Sequence, residues 1–151
     1  FSDFSHYDEN SGSTSFRASM LKKAPEILEK DWLLGVGYGM EKEYLDSYYE
    51  KIDWKYARTN SFNTHNQFLQ TWLGIGLGGV FILFVLIFGP FLMPINPVAK
   101  LMLFCFAFLF CTEAMLERQA GIVLFMLFYS LFIGLTRPKQ MRVRERVLTF
   151  D

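Results

Sequence analysis

No Asp, Glu, Lys or Arg occurs between Arg58 and Lys100. Inside that gap the run QFLQTWLGIGLGGVFILFVLIFGPFL, residues 67–92, is long enough as a helix to cross a hydrocarbon layer of about 30 Å. A spanning helix satisfies its own backbone groups, which lipid cannot do for it. The run therefore predicts an all-α integral membrane protein, with residues 67–92 as its first span.

Two further apolar runs, about 98–115 and 120–136, sit at the short end of spanning length and read as spans two and three. Pro94 and Pro97 mark residues 90–97 as a surface turn, and residues 113–119 form an equally tight link. The tail RPKQMRVRER carries Arg137, Lys139, Arg142, Arg144 and Arg146 directly after the last run, which marks the cytoplasmic side. Lys100 falls on the same side. The expected organisation is thus an outer loop region 1–66, a transmembrane region 67–136 and a basic cytoplasmic tail 137–151. In a bacterial inner membrane the outer region is periplasmic, where there is no ATP or nucleotide sugar to drive chemistry. The chain opens at Phe1, without Met and without a signal-like run, so a piece of a longer protein is expected.

The outer region is polar but patterned. Phe16, Met20, Ala24, Ile27 and Leu28 recur at near-helical spacing after Ser13–Ser15, whose hydroxyls suit an N-cap; this predicts a short amphipathic helix bent at Pro25. The glycines of LLGVGYGM, Gly35, Gly37 and Gly39, are half of a dinucleotide fingerprint with no βαβ unit around them, and read as a tight turn outside the membrane. The Tyr-rich stretch LDSYYEKIDWKY is expected to lie along the membrane interface with its rings at headgroup depth. Acids outnumber bases over residues 1–60, which sets aside nucleic-acid binding. Cys105 and Cys111 lie in one apolar run without CxxC spacing, so neither a disulfide nor a zinc site is expected.

His65 and Asn66 stand immediately before the first span. An imidazole is the side chain whose ordinary titration falls near neutrality, and at the outer membrane surface it meets the head groups of lipid-linked substrates. Capping of the helix is the plainer alternative. Glu113 and Glu117 lie near the end of the second run, where an ionisable group is a functional candidate, although Arg118 is close enough in sequence to pair with one of them. Arg58 shares the outer side with His65. His6, in a polar lead segment, is assigned no role.

The spacing His65-Asn66, nine residues, Gly76, two residues, Gly79 resembles the periplasmic His motif of the O-antigen ligase and polymerase family. Arg17 followed by a helix and LLGVGYG resembles the same family's Arg-helix-Gly turn, and TEAMLERQAG, residues 112–121, resembles its Glu-containing turn between the last spans. In the matched motif the glycines Gly76 and Gly79 are expected to allow close approach of helices.

The resemblance implies the C-terminal part of a larger type C glycosyltransferase-like fold, whose remaining spans would supply another donor-binding Arg. It implies transfer of a glycan from a polyprenyl-pyrophosphate-linked donor to lipid A-core or another glycan acceptor, with no metal or nucleotide cofactor. His65 would be the general base with Asn66 as its orienter, and Arg17 would bind the donor pyrophosphate. Arg58 would be an auxiliary phosphate contact outside the motif, and Glu113 and Glu117 further candidates. An O-antigen or capsule polymerase, a protein O-oligosaccharyltransferase, and a non-enzymatic transporter or scaffold remain open as alternatives.

Overall fold

The computed structural model describes residues 13–134, and among these the regular structure is all helical, with no strand. The basic tail and His6 lie outside the described residues. The elements in order are α1 (Ser13–Leu28), α2 (Glu41–Lys51), α3 (Lys55–Thr59), α4 (Gln67–Phe88), α5 (Pro97–Thr112) and α6 (Gln119–Gly134). Short 3-10 turns, Gly89–Leu92 and Met115–Glu117, follow α4 and α5.

Two cores form at the two ends of α4. In the first, α1 buries Phe16, Met20, Ile27 and Leu28 at the spacing read from the sequence, with Ala24 packed against them. The helix runs on through Pro25 to Leu28 as one element. Opposite it, α2 turns Leu45, Tyr48 and Tyr49 inward, and Trp54 and Ala57 complete the cluster with Leu69 and Leu73 of α4. The Tyr-rich stretch therefore does not lie flat at an interface. Its i, i+3, i+4 pattern gives α2 one apolar face, and that face is covered by α1 and α4. Burial pushes the Tyr49 phenol up, and its neutral hydroxyl donates to the Phe62 carbonyl at 3.1 Å.

The second core joins the far half of α4 to the α5–α6 hairpin through Leu83, Ile87, Phe106, Phe110 and Phe125. Phe106 and Phe125 meet edge to face with centroids 5.1 Å apart. Pro97 opens α5 behind Asn96, whose side chain accepts the Val98 N–H at 2.9 Å. Residues 67–92 are apolar and long enough to cross a membrane, whereas Pro97–Thr112 and Gln119–Leu131 are shorter apolar helices.

The first run is not one uninterrupted helix. Gly76 adopts φ 75° and ψ −164°, a conformation open essentially only to glycine, and there α4 breaks. The loop after α1 repairs the break: Val36 N–H donates to Leu73 O at 2.7 Å, Gly37 N–H to Gly74 O at 3.1 Å, and Leu77 N–H to Leu33 O at 3.1 Å. A Cβ on Gly35 would lie 2.6 Å from the Gly76 nitrogen, and one on Gly76 would strike the Leu33 carbonyl. Gly76 thus admits a loop backbone rather than a neighbouring helix. A Cβ on Gly79 would meet Ile75 and Thr71 of its own helix.

Candidate active site

Asn66 begins α4. Its side chain accepts the Leu69 N–H at 2.9 Å as an N-cap and donates through Nδ2 to the Cys111 carbonyl at 3.2 Å. The amide is thereby spent on the helix and on α5, and the orienting contacts to His65 come from other residues.

His65 is held at φ 47°, a left-handed conformation that costs an L-residue about 1–2 kcal/mol. Local hydrogen bonds over-determine it. Asn63 Oδ1 accepts the His65 N–H at 3.0 Å, and the buried Thr64 hydroxyl donates to Gln70 Oε1 at 2.9 Å. The imidazole is clamped edge-on by Phe16 and Phe62, with ring centroids 5.5 and 5.7 Å away. Phe16 belongs to α1, so the first helix both frames the ring and delivers the next residue of the site.

That residue is Arg17. Its Nη2 donates to Glu113 Oε1 at 2.5 Å, while the other carboxylate oxygen, Oε2, lies 3.3 Å from His65 Nδ1. Glu113 follows the last residue of α5, beyond the helix itself. Partial burial alone would raise its pKa, but the hydrogen bonds and charges of Arg17 and His65 outweigh that and hold the carboxyl below its usual range. Glu113 is therefore ionised at neutral pH and can only accept, so Nδ1 is the donor in this contact and, in the neutral ring, Nε2 carries the lone pair. A ring in this tautomer can take a proton at Nε2. The His65 side chain keeps 24% of its surface exposed, so the ring is reachable.

Glu117 braces the same loop from the other side. Its Oε1 accepts from Gln70 Nε2 at 2.9 Å and its Oε2 from the Asn63 amide. Gln67 Oε1 accepts the Leu116 N–H at 2.6 Å. The turn between α5 and α6 is thus fastened to the His65 loop by side chains from 63–70 and from α1. Beside Glu117 a groove of about 260 Å³ opens, lined by Gln67, Gln70 and Thr71 at its polar end and by Ile75, Ile82 and Leu86 along α4.

The structure brings Arg17, His65 and Glu113 together and places Asn66 and Glu117 directly around them. It does not bring in Arg58, which pairs with Glu50 of α2 at 3.1 Å on a half-exposed surface. Nor does Arg118 take either carboxylate: Glu113 is claimed by Arg17, because Arg118 follows the 3-10 turn and the hairpin docks against α1 and the His65 loop. Sequence reasoning missed Asn63, Gln67 and Gln70. A signal for the last two was visible, since Gln67, Gln70 and Thr71 place polar groups on one face at the start of an otherwise apolar helix. Among the described residues no three His, Cys, Asp or Glu side chains converge as a metal site.

The family model described as O-antigen ligase covers residues 2–84, more than half of the chain, and the chain belongs to that family. The matched range contains Arg17, His65 and the Gly76 break. No curated protein and no solved structure matches.

Proposed function

With membership of this glycosyltransferase-like, membrane-associated family as the premise, we propose that the chain is part of an O-antigen ligase that joins a polyprenyl-pyrophosphate-linked glycan to lipid A-core. Residues 67–92, α5 and α6 are its spans in the bacterial inner membrane, and the His65 cluster faces the periplasm. The observation that carries the reading is the Arg17–Glu113–His65 clasp.

In the reaction an acceptor hydroxyl attacks the anomeric carbon of the donor with inversion. The bond from that carbon to the diphosphate oxygen breaks, the hydroxyl proton passes to His65 Nε2, and polyprenyl diphosphate leaves. Glu113 fixes the tautomer and stabilises the imidazolium that forms, as a carboxylate does behind a catalytic imidazole elsewhere. Arg17 uses Nη2 on Glu113 and keeps Nε buried, so Nη1 is the nitrogen that serves the charge developing on the leaving diphosphate. The groove below Gln67 and Gln70 runs along α4 and suits the apolar chain of the donor.

The test is a lipopolysaccharide gel from a strain deleted for the full gene and complemented with wild type or with His65→Ala. Core without O-units, rescued by wild type alone, is the expected result. Core bearing a single unit would assign a polymerase, and full rescue by His65→Ala would remove His65 as the base.

A further inference from the structure

The loop that repairs α4 has an unusual surface. Trp32, Leu33, Leu34, Tyr38 and Met40 are all exposed, Leu34 and Tyr38 at 80% and 81%. Exposed apolar residues in sequence on a loop mark a contact surface of some kind. We propose that residues 32–40 are inserted into the outer interface of the lipid bilayer, with Leu33, Leu34 and Tyr38 in contact with acyl chains. The inference rests on the reading of residues 67–92 as a span.

Two observations identify lipid as the occupant. The first is depth. Counting from Leu92 at the cytoplasmic end, an apolar layer of about 30 Å is used up by about 20 residues of helix, which ends near Leu73. The loop is hydrogen-bonded to α4 at Leu73, Gly74 and Leu77, which places it at the outer edge of the hydrocarbon rather than in the water above it. The exposed side chains of Ile75, Leu77 and Phe81 continue the same surface down the helix.

The second is hydrogen bonding. Five amides of the loop are turned to the protein rather than left to solvent, which suits a segment at the edge of the hydrocarbon: Gly35 N–H donates to Asp31 O, Val36 and Gly37 to α4, Met40 to Gly37 O, and Gly39 to Glu41 Oε2. Trp72 Nε1 donates to the Trp32 backbone carbonyl at 2.6 Å, which ties the loop to α4 through an indole of the kind that gathers at the interface. The positive φ values of Gly35, Gly37 and Gly39 are what let so short a segment turn these groups inward.

The experiment uses the full-length protein in vesicles, with Cys105 and Cys111 replaced by Ala and one spin label at a time placed by Leu34→Cys, Tyr38→Cys, Phe81→Cys or Lys55→Cys. Collision with oxygen reports lipid, and collision with a nickel chelate reports water. The expected oxygen-to-nickel ratio at Leu34 and Tyr38 is several-fold above that at Lys55 and approaches that at Phe81. A ratio at Leu34 like that at Lys55, with Phe81 still in lipid, overturns the insertion alone. A water-like ratio at Phe81 overturns the span and the insertion together. Shielding of Leu34 from both reagents means that protein covers the loop, which also overturns the proposal. Quenching of Trp32 fluorescence by brominated lipid, lost in Trp32→Phe, checks the result without altering Leu34.

Discussion

The two cores at the ends of α4 are built by opposite rules. Around Trp54 and Tyr49 the apolar side chains are inside and the charged ones outside, as water demands of a folded domain. Around Phe110 and Phe125 apolar side chains are inside and outside alike: Phe81, Phe104 and Phe108 are 68%, 63% and 65% exposed on helices that carry almost no charge. One helix belongs to both, and the site lies where the rules change. The His65 imidazole lies at that junction, with the core of α1 and α2 on one side and the α5–α6 hairpin, whose turn bears Glu113, on the other.

The largest consequence lies in how each region tolerates truncation. Trp54→Ala removes a side chain 2% exposed and is expected to destabilise the full protein by about 3–5 kcal/mol. Phe108→Ala, on the outward face of α5, should stay within about 0.5 kcal/mol. Thermal unfolding in detergent measures both, and equal losses would mean that Phe108 is covered by protein. A charge probes the same contrast from the other side. Phe104→Arg, midway along α5, should disfavour membrane insertion by about 2.5–3.5 kcal/mol in a glycosylation-tagged reporter. Leu21→Arg, comparably exposed on α1, should leave stability within about 0.5 kcal/mol. A harmless Phe104→Arg would put α5 in water.

A smaller effect belongs to the residue that stitches the regions together. Asn66→Ala loses the N-cap of α4 and the contact to Cys111 O, and a loss of about 1 kcal/mol is expected in the same unfolding assay. Unchanged stability would mean that water replaces the cap without penalty.

How far such features can be read from sequence depends on their range. The apolar run 67–92 and the spacing from Phe16 to Leu28 are local patterns, and both emerge as helices. The break in α4 was illegible because hydropathy reads straight through Gly76, and only the loop 33–37, far away in sequence, makes the break affordable. The same limit applies to the site. His65 and Arg17 stood out by type and position, yet the carboxylate that joins them is 96 residues from Arg17. Adjacency suggested Arg118 instead, because sequence distance is all that a linear reading can measure. The Tyr-rich stretch misled for a related reason: a ring that suits a membrane interface also suits a core, and only the partner helix decides.

The smallest expected effect is electrostatic. The Glu113 carboxyl is held below its usual range in the folded chain, so the clasp contributes stability above the ordinary carboxylate pKa and loses it as pH falls through the depressed value. The loss belongs to acid conditions and not to the neutral range. It should be modest, because the Arg17 and Glu113 side chains keep 32% and 45% of their surface exposed and solvent screens the pair. Other carboxylates add to any acid transition, Glu26 beside Lys23 among them, so the informative quantity is a difference. Melting temperature against pH for wild type and Glu113→Gln should converge in acid and separate as the carboxyl ionises. Parallel curves would show that the clasp is not a coupled charge site, and that the junction of the two regions is held by the contacts of Asn63, Asn66, Gln67 and Gln70 instead.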